Sequence, residues 1–409
     1  MGSYCELKYD NISVLSEKSY VPDHFVCLFQ EADRRQGAEN GEDEGYRVEY
    51  VASRDVILQR LGLLGYSAEY ARQHFQEWAS RELKALAEYE RVSKWASEEA
   101  EALRKLDYSE WLSRARDVLL TRYDFTRPTN EYKDEIDRHL RDLSDNWLFY
   151  DGDVLPIVRS LLEVFPEVHD VTLDISDLVN GGYMALNERV CDQRRTPAPE
   201  WRSDLQPTVI IGEGSTDILV LKRSLHKLYP HLTDYFTFFD YDASSVDGGA
   251  SYLVKFLRAF AAARINTNII AIFDNDAAGL DALNVASRLP LPANIRVTRL
   301  PDIELACAYR TIGPQGEHNV NVNGRAVSIE LFLGLHNLMA ETGAFAPVVW
   351  GNYIQSVRQY QGAIEGKRTI LERFLDETKE DRCSEYYRTR FPELVLLWEH
   401  IFGMLKRLR

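Results

Sequence analysis

The sequence predicts a mixed α/β protein in two parts, an α+β, largely helical N-terminal half and a C-terminal half built on a parallel sheet flanked by helices. Three observations lead there. From residue 208 to 300, short apolar runs alternate with helix-length segments, the pattern of parallel strands joined by right-handed crossover helices. Residues 53–123 instead carry apolar residues at helical spacing. Between the two, "RRTPAPEWRSDLQPT" (194–208) holds Pro197, Pro199 and Pro207, which fix φ and remove backbone donors, so neither a helix nor a central strand runs through it.

In chain order, "SYCELKYDNISVLSEKSYV" has strand-like residues on both sides of Asp10-Asn11, a turn pair, and reads as an opening hairpin. The polar stretch "RRQGAENGEDEG" reads as a surface loop. Within the helical region Phe75, Trp78, Ala85, Leu86, Tyr89 and Val92 are spaced to share one core face, and Glu98, Glu99 and Glu101 read as a solvated one. After the prolines, strands in "TVIIGEG", "YFTFFDY", "NIIAIFDND" and "IRVTRL" alternate with helices through "DILVLKRSLHKLY", "SYLVKFLRAFAAA" and "GLDALNVASRL". A glycine-punctuated loop, "TIGPQGEHNVNVNGRA", precedes a helical start at "SIELFLGLHNLM" and a tail that is mostly helical by pattern. The expected organisation is an N-terminal domain over 1–195, an α/β domain over 205–335 and a helical extension over 336–409.

At 409 residues the chain can bury a sizeable core without a metal staple or disulfide. Its apolar (45%) and charged (27%) fractions are those of soluble proteins, and no apolar run approaches the length of a bilayer span. The N-terminus has no signal-peptide stretch, and five scattered cysteines without a CxxC pair argue against a disulfide framework or a zinc ribbon. A cytoplasmic protein with no membrane segment is expected. The net charge of −16 opposes sequence-independent affinity for nucleic acid, so a polyanionic substrate must be met locally. Divalent cations held by carboxylates do that by inverting the sign of an acidic pocket.

Carboxylates sit where such a pocket forms. In an open parallel sheet, ligands collect outside the carboxyl ends of the strands. Glu213 ends the first strand, between Gly212 and Gly214, which leave room for a ligand to approach the backbone. Asp274 and Asp276 end the third strand, and residues two apart on an extended chain point to one side while Asn275 faces away. If the strand order reverses beside the first strand, Glu213 and the aspartate pair become neighbours. Three facing carboxylates repel, and a hard divalent cation, Mg²⁺ or Mn²⁺, relieves that repulsion. The competing explanation is that Asp and Asn merely form turns after strands.

"IIGEGSTDILVL", followed about sixty residues later by "AIFDNDAAGLDAL", resembles the Toprim domain of topoisomerases, bacterial primases and OLD-type nucleases, with a glutamate ending the first strand and DxD ending the third. The resemblance implies a Rossmann-like Toprim domain at 205–335 in which Glu213, Asp274 and Asp276 are catalytic and metal-binding. It adds Asp217 at an acidic position after the glutamate, Glu330 as the acidic residue of a second metal site, and Lys367 as the lysine directed at the scissile phosphate. Without it, Glu330 reads equally well as a first-turn helix glutamate, and a solvated surface lysine is favoured at Lys367.

The opening segment, together with "GPQGEHNVNVNGRAVSIELFLG", resembles the HEPN/Toprim-associated proteins, whose N-terminal domain precedes a HEPN or a Toprim effector. No His has an Arg five to seven residues before it, so the RxxxxH-type RNase motif is absent and the Toprim half is the expected effector. The resemblance implies an Mg²⁺- or Mn²⁺-dependent nuclease acting on DNA or RNA in anti-phage defence, with a protein partner or a second copy met through the N-terminal domain. Two alternatives remain at this level: a non-catalytic metal- or nucleotide-binding sensor, and a haloacid dehalogenase-type phosphatase. The phosphatase reading lacks the Thr or Val expected two residues past the second Asp, where Ala277 and Ala278 stand, and leaves Glu213 unexplained.

Overall fold

Asp10, at φ +48°, turns the chain between β1 (Tyr4–Tyr9) and β2 (Ile12–Lys18), the left-handed position that Asp and Asn tolerate best after Gly. The computed structural model describes residues 2–38, 45–121, 132–142, 146–195, 206–241, 248–340 and 343–405. It divides into two units, 1–197 and 198–408.

In the first unit the opening hairpin joins β3 (Arg34–Ala38), β4 (Tyr46–Ser53) and β5 (Asp170–Asp174) in an antiparallel sheet of order β2-β1-β5-β4-β3. Four helices follow β4, Arg54–Leu63, Ala68–Ala87, Lys94–Lys105 and Tyr108–Leu120. Ser53, Ser67, Ser93 and Asp107 cap them in turn, each accepting a hydrogen bond from a first-turn backbone N–H. The expected aromatic core forms in part. Phe75, Trp78, Trp111 and Tyr150 pack with ring centroids as close as 4.6 Å (Trp78–Tyr150) and 5.3 Å (Trp111–Tyr150).

Several expectations for this unit need correction. The second helix ends at Ala87, so Tyr89 and Val92 fall in the turn beyond it and are 57% and 83% exposed; Ala85 also faces solvent. Glu99 is buried on the inner face of its helix beside Ala96, Ala100 and Leu103, unlike the exposed Glu98 and Glu101. Arg34–Ala38, read as loop, is the edge strand β3, while residues 39–44 of that stretch lie outside the described residues. So do 122–123 of the helical region, 196–205 of the proline stretch and 406–409 of the tail.

The second unit contains a wholly parallel sheet of β6 (Thr208–Ile211), β7 (Phe236–Phe238), β8 (Ile269–Phe273) and β10 (Ile295–Arg299), in the order β10-β8-β6-β7. Helices Ser215–Leu228, Ala250–Ala262 and Ala277–Ala286 connect them. β8 is buried throughout, as a strand covered on both faces must be, and packs on Leu253, Val254 and Leu257 of one crossover helix and Ala282 and Ala286 of another. The strand order reverses at β6: β7 lies on one side of it and β8 on the other. The carboxyl ends of β6 and β8 therefore flank a crevice at the switch point.

Immediately after β8, β9 (Asn275–Asp276) pairs with β13 (Ala326–Val327). A second sheet of order β12-β11-β14-β15 completes the unit, from β11 (Tyr309–Gly313), β12 (Gly316–Val320), β14 (Val348–Ile354) and β15 (Gln359–Ile364). The stretch read as a glycine-punctuated loop is thus mostly the β11–β12 hairpin. The expected helical start at 328 is a single 3₁₀ turn, Ile329–Phe332, broken from Leu335–Leu338 by Gly334 at φ +87°. The tail opens with strands β14 and β15 and becomes helical only at Lys367–Glu377, Ser384–Arg390 and Pro392–Leu405. Among the described residues no helix is long and apolar enough to cross a membrane.

Candidate active site

Glu213 lies two residues past β6 and Asp274 directly past β8, its parallel neighbour. The Asp274 backbone N–H donates to Glu213 Oε1 at 2.9 Å, which ties the two strand ends together. Two glycines allow this crowding. A Cβ at Gly279 would stand 2.2 Å from the Asp274 carbonyl oxygen and 3.1 Å from Glu213 Oε1; one at Gly212 would meet the Asp217 Cβ at 2.9 Å. Gly212 therefore accommodates Asp217, while a Cβ at Gly214 would meet only open space.

Asp217, in the first turn of the Ser215–Leu228 helix, accepts a hydrogen bond from the Gly214 N–H at 2.9 Å. Asp276 caps the Ala277–Ala286 helix, its Oδ1 accepting from the Gly279 N–H at 2.7 Å, so the turn-and-cap explanation for the second aspartate holds alongside any chemical role. Its other oxygen accepts from Gln361 Nε2, and Gln361 Oε1 in turn accepts from the Ala278 N–H at 2.8 Å. Asn275 faces away as expected: it is fully buried, donates to Asp302 and accepts from the Gly324 N–H and Arg299. The Asp274 carboxylate accepts no hydrogen bond among the described residues.

Pairings distant in sequence bring in the remaining residues. β13 pairs with β9 and leads to Glu330, which is buried and accepts a hydrogen bond from Ser328 Oγ at 2.5 Å. β15, tied to the Arg325 carbonyl through the Gly362 N–H at 3.0 Å, supplies Gln361 and then Lys367, the first residue of its helix. Lys367 Nζ stands 3.3 Å from Glu330 Oε2 with its side chain 44% exposed. The solvated surface lysine favoured by sequence alone is therefore a cation at the edge of an acidic cluster. Gln361 is the site residue that sequence reading missed, because one glutamine in an edge-like strand carries no motif.

The six charged groups influence one another electrostatically. Burial, with repulsion from Asp276 and Asp217, pushes the Glu213 carboxyl up to about 7 against the Asp274 N–H and Lys367. Burial, with Glu330 nearby, raises Asp217 to about 6. Burial, reinforced by Asp217, Glu213 and Asp276, holds Asp274 well above the usual carboxylate range. Asp276 is raised by burial, though its two hydrogen bonds and Lys367 oppose the shift. At Lys367, burial is outweighed by Glu330, Asp274 and Asp217, and its ammonium form is favoured.

Five carboxylates thus face one ammonium. Hard oxygen donors with an unneutralised charge are the donor set that a divalent cation such as Mg²⁺ takes, so the residues fit one chemically. As placed, Glu213, Asp217, Asp276 and Glu330 serve protein donors instead, and among the described residues no three ligand-type side chains are grouped closely enough to hold an ion.

The comparisons with known proteins bear on the first unit. Residues 1–197 match the HEPN/Toprim N-terminal domain 1 family. The chain carries the N-terminal domain of the HEPN/Toprim-associated proteins. No curated protein and no solved structure matches it. The HEPN/Toprim N-terminal domain is followed in the chain by the unit with the parallel sheet and the acidic cluster, and the domain family suggests a nuclease-like role.

Proposed function

We propose that the second unit is a Toprim-type, Mg²⁺- or Mn²⁺-dependent nuclease that hydrolyses phosphodiester bonds of DNA or RNA, as an effector in anti-phage defence. The observation that carries this reading is the buried group of Glu213, Asp217, Asp274 and Asp276 with raised carboxyl pKa values at the sheet's switch point, with Lys367 beside it. A cation held there would supply charge neutralisation at the phosphate and a more acidic water.

Asp274 and Asp276 are the residues to hold it, and Asp217 with Glu330 would hold a second. Glu213 takes the proton of the attacking water, since a carboxyl near neutrality matches that task. Lys367, on the exposed side of the cluster, meets the negative phosphate and steadies the charge that develops on it. Gln361 fixes the Asp276 carboxylate while bracing the first turn of the helix that Asp276 caps.

The test is hydrolysis of plasmid, linear DNA, tRNA and total RNA with and without Mg²⁺ or Mn²⁺, beside Glu213→Ala. Metal-dependent cleavage lost in the variant is expected, and a phage-challenged host should lose protection with it. Metal binding without cleavage of any substrate would leave a binding protein rather than a nuclease.

Stability gives a second readout. The raised carboxyls bind protons more tightly folded than unfolded, so their contribution falls as pH rises through the folded values of about 6 (Asp217) and about 7 (Glu213). In EDTA, wild-type Tm should therefore drop relative to Asp274→Asn between pH 5 and 8. Mg²⁺ should raise the wild-type Tm more at pH 8 than at pH 5, where protons already offset the repulsion. A Tm indifferent to Mg²⁺ at pH 8 contradicts the metal site.

A further inference from the structure

A cavity of about 740 Å³ opens on the second sheet, lined from all four of its strands. Its aromatic wall is Trp350, Tyr353 and Tyr360; the two tyrosines are 47% and 57% exposed, with ring centroids 5.1 Å apart. The two tyrosine rings meet edge to face and are still about half open to solvent, where an apolar ring adds little to stability. Arg325 and Arg358 line the same cavity, and neither makes an ion pair among the described residues. No carboxylate lines it, in a chain whose net charge is −16. The groove is thus locally cationic where the protein as a whole repels polyanions.

This groove adjoins the carboxylates. Arg325 forms a β-bridge with Asp276, and Tyr360 directly precedes Gln361, whose side chain holds the Asp276 carboxylate. We propose that the groove binds single-stranded nucleic acid, stacking bases on Tyr353, Tyr360 and Trp350 and pairing phosphates with Arg325 and Arg358, and so leads the strand toward the acidic cluster. A duplex buries its base faces in its own stack, whereas an unpaired strand offers them to aromatic side chains. Only the destination of the strand rests on the nuclease reading; the binding does not.

The test measures fluorescence anisotropy of labelled dT and rU 20-mers and a 20-base-pair duplex against the full chain in EDTA, where nothing is cut. Wild type should prefer the single strands. Tyr353→Ala with Tyr360→Ala should weaken that binding by about tenfold or more, while Tyr360→Phe, which keeps the ring, should retain it. Arg325→Ala with Arg358→Ala should lower the slope of log affinity against log salt by roughly 1.4, about 0.7 for each phosphate left without its arginine. No single-strand binding by wild type, preference for the duplex, or unchanged binding in the double tyrosine variant overturns the proposal. If the variants lose the strand but wild type cleaves nothing in Mg²⁺, the nuclease reading fails and the groove stands. Cleavage by wild type with normal binding in the variants gives the reverse.

Discussion

Asp274→Asn is expected to lose phosphodiester hydrolysis by about a thousandfold or more while melting higher than wild type at pH 8 in EDTA. The two effects have one origin. Asp274 stands among Glu213, Asp217 and Asp276 with no hydrogen bond to its carboxylate among the described residues, and burial reinforced by those neighbours disfavours its charged form. The amide keeps the shape and removes the charge, relieving the repulsion among the buried carboxylates. It also replaces a charged oxygen ligand of the proposed cation by a neutral one, so Mg²⁺ should no longer raise its Tm. Activity that survives the substitution, or a variant that melts lower than wild type at pH 8, would show that Asp274 is not the charge around which the site is organised.

Lys367→Met is expected to lower kcat by about a hundredfold or more, the usual scale for removing one charge-stabilising donor, while tightening Mg²⁺ binding by roughly tenfold. The ammonium competes with an added cation for Glu330, Asp274 and Asp217, so its loss leaves the carboxylates more receptive. Lys367→Arg should change Mg²⁺ affinity little, since the charge remains. Activity and metal affinity moving in opposite directions is a pattern that a structural lysine would not produce; parallel loss of both would assign Lys367 to the scaffold. Titration of Mg²⁺ by calorimetry beside single-turnover cleavage distinguishes the two.

The two strand-end motifs were legible because each is local. Glu213 and Asp274 need only a strand to end at the right residue, and β6 and β8 do so within a parallel pair whose alternation with helices is written along the chain. Glu330 and Lys367 depended on resemblance, because β13 reaches them through two paired residues and β15 through a strand hidden in a tail that reads as helical. "VVWGNYI" and "QYQGAI" are short, and their glycines and glutamines dilute the alternation that marks strands. Gln361 left no trace at all, since its role exists only once β15 lies beside the DxD turn. Tyr89 and Val92 failed for the opposite reason: helical spacing continued past Ala87, where the helix itself stopped.

The two-residue ladder between β9 and β13 has a consequence for how the molecule opens. Glu213 and Asp274 follow neighbouring strands of the parallel sheet and Asp217 opens the helix after β6, whereas Glu330, Gln361 and Lys367 reach them across that ladder and a few hydrogen bonds. Native-state hydrogen exchange should resolve these as separate cooperative units, with the amides of Ala326, Val327 and Gly362 exchanging through an opening of lower free energy than those of β8. Such an opening would part Lys367, together with Glu330, from Glu213, Asp217 and Asp274 without unfolding the parallel sheet.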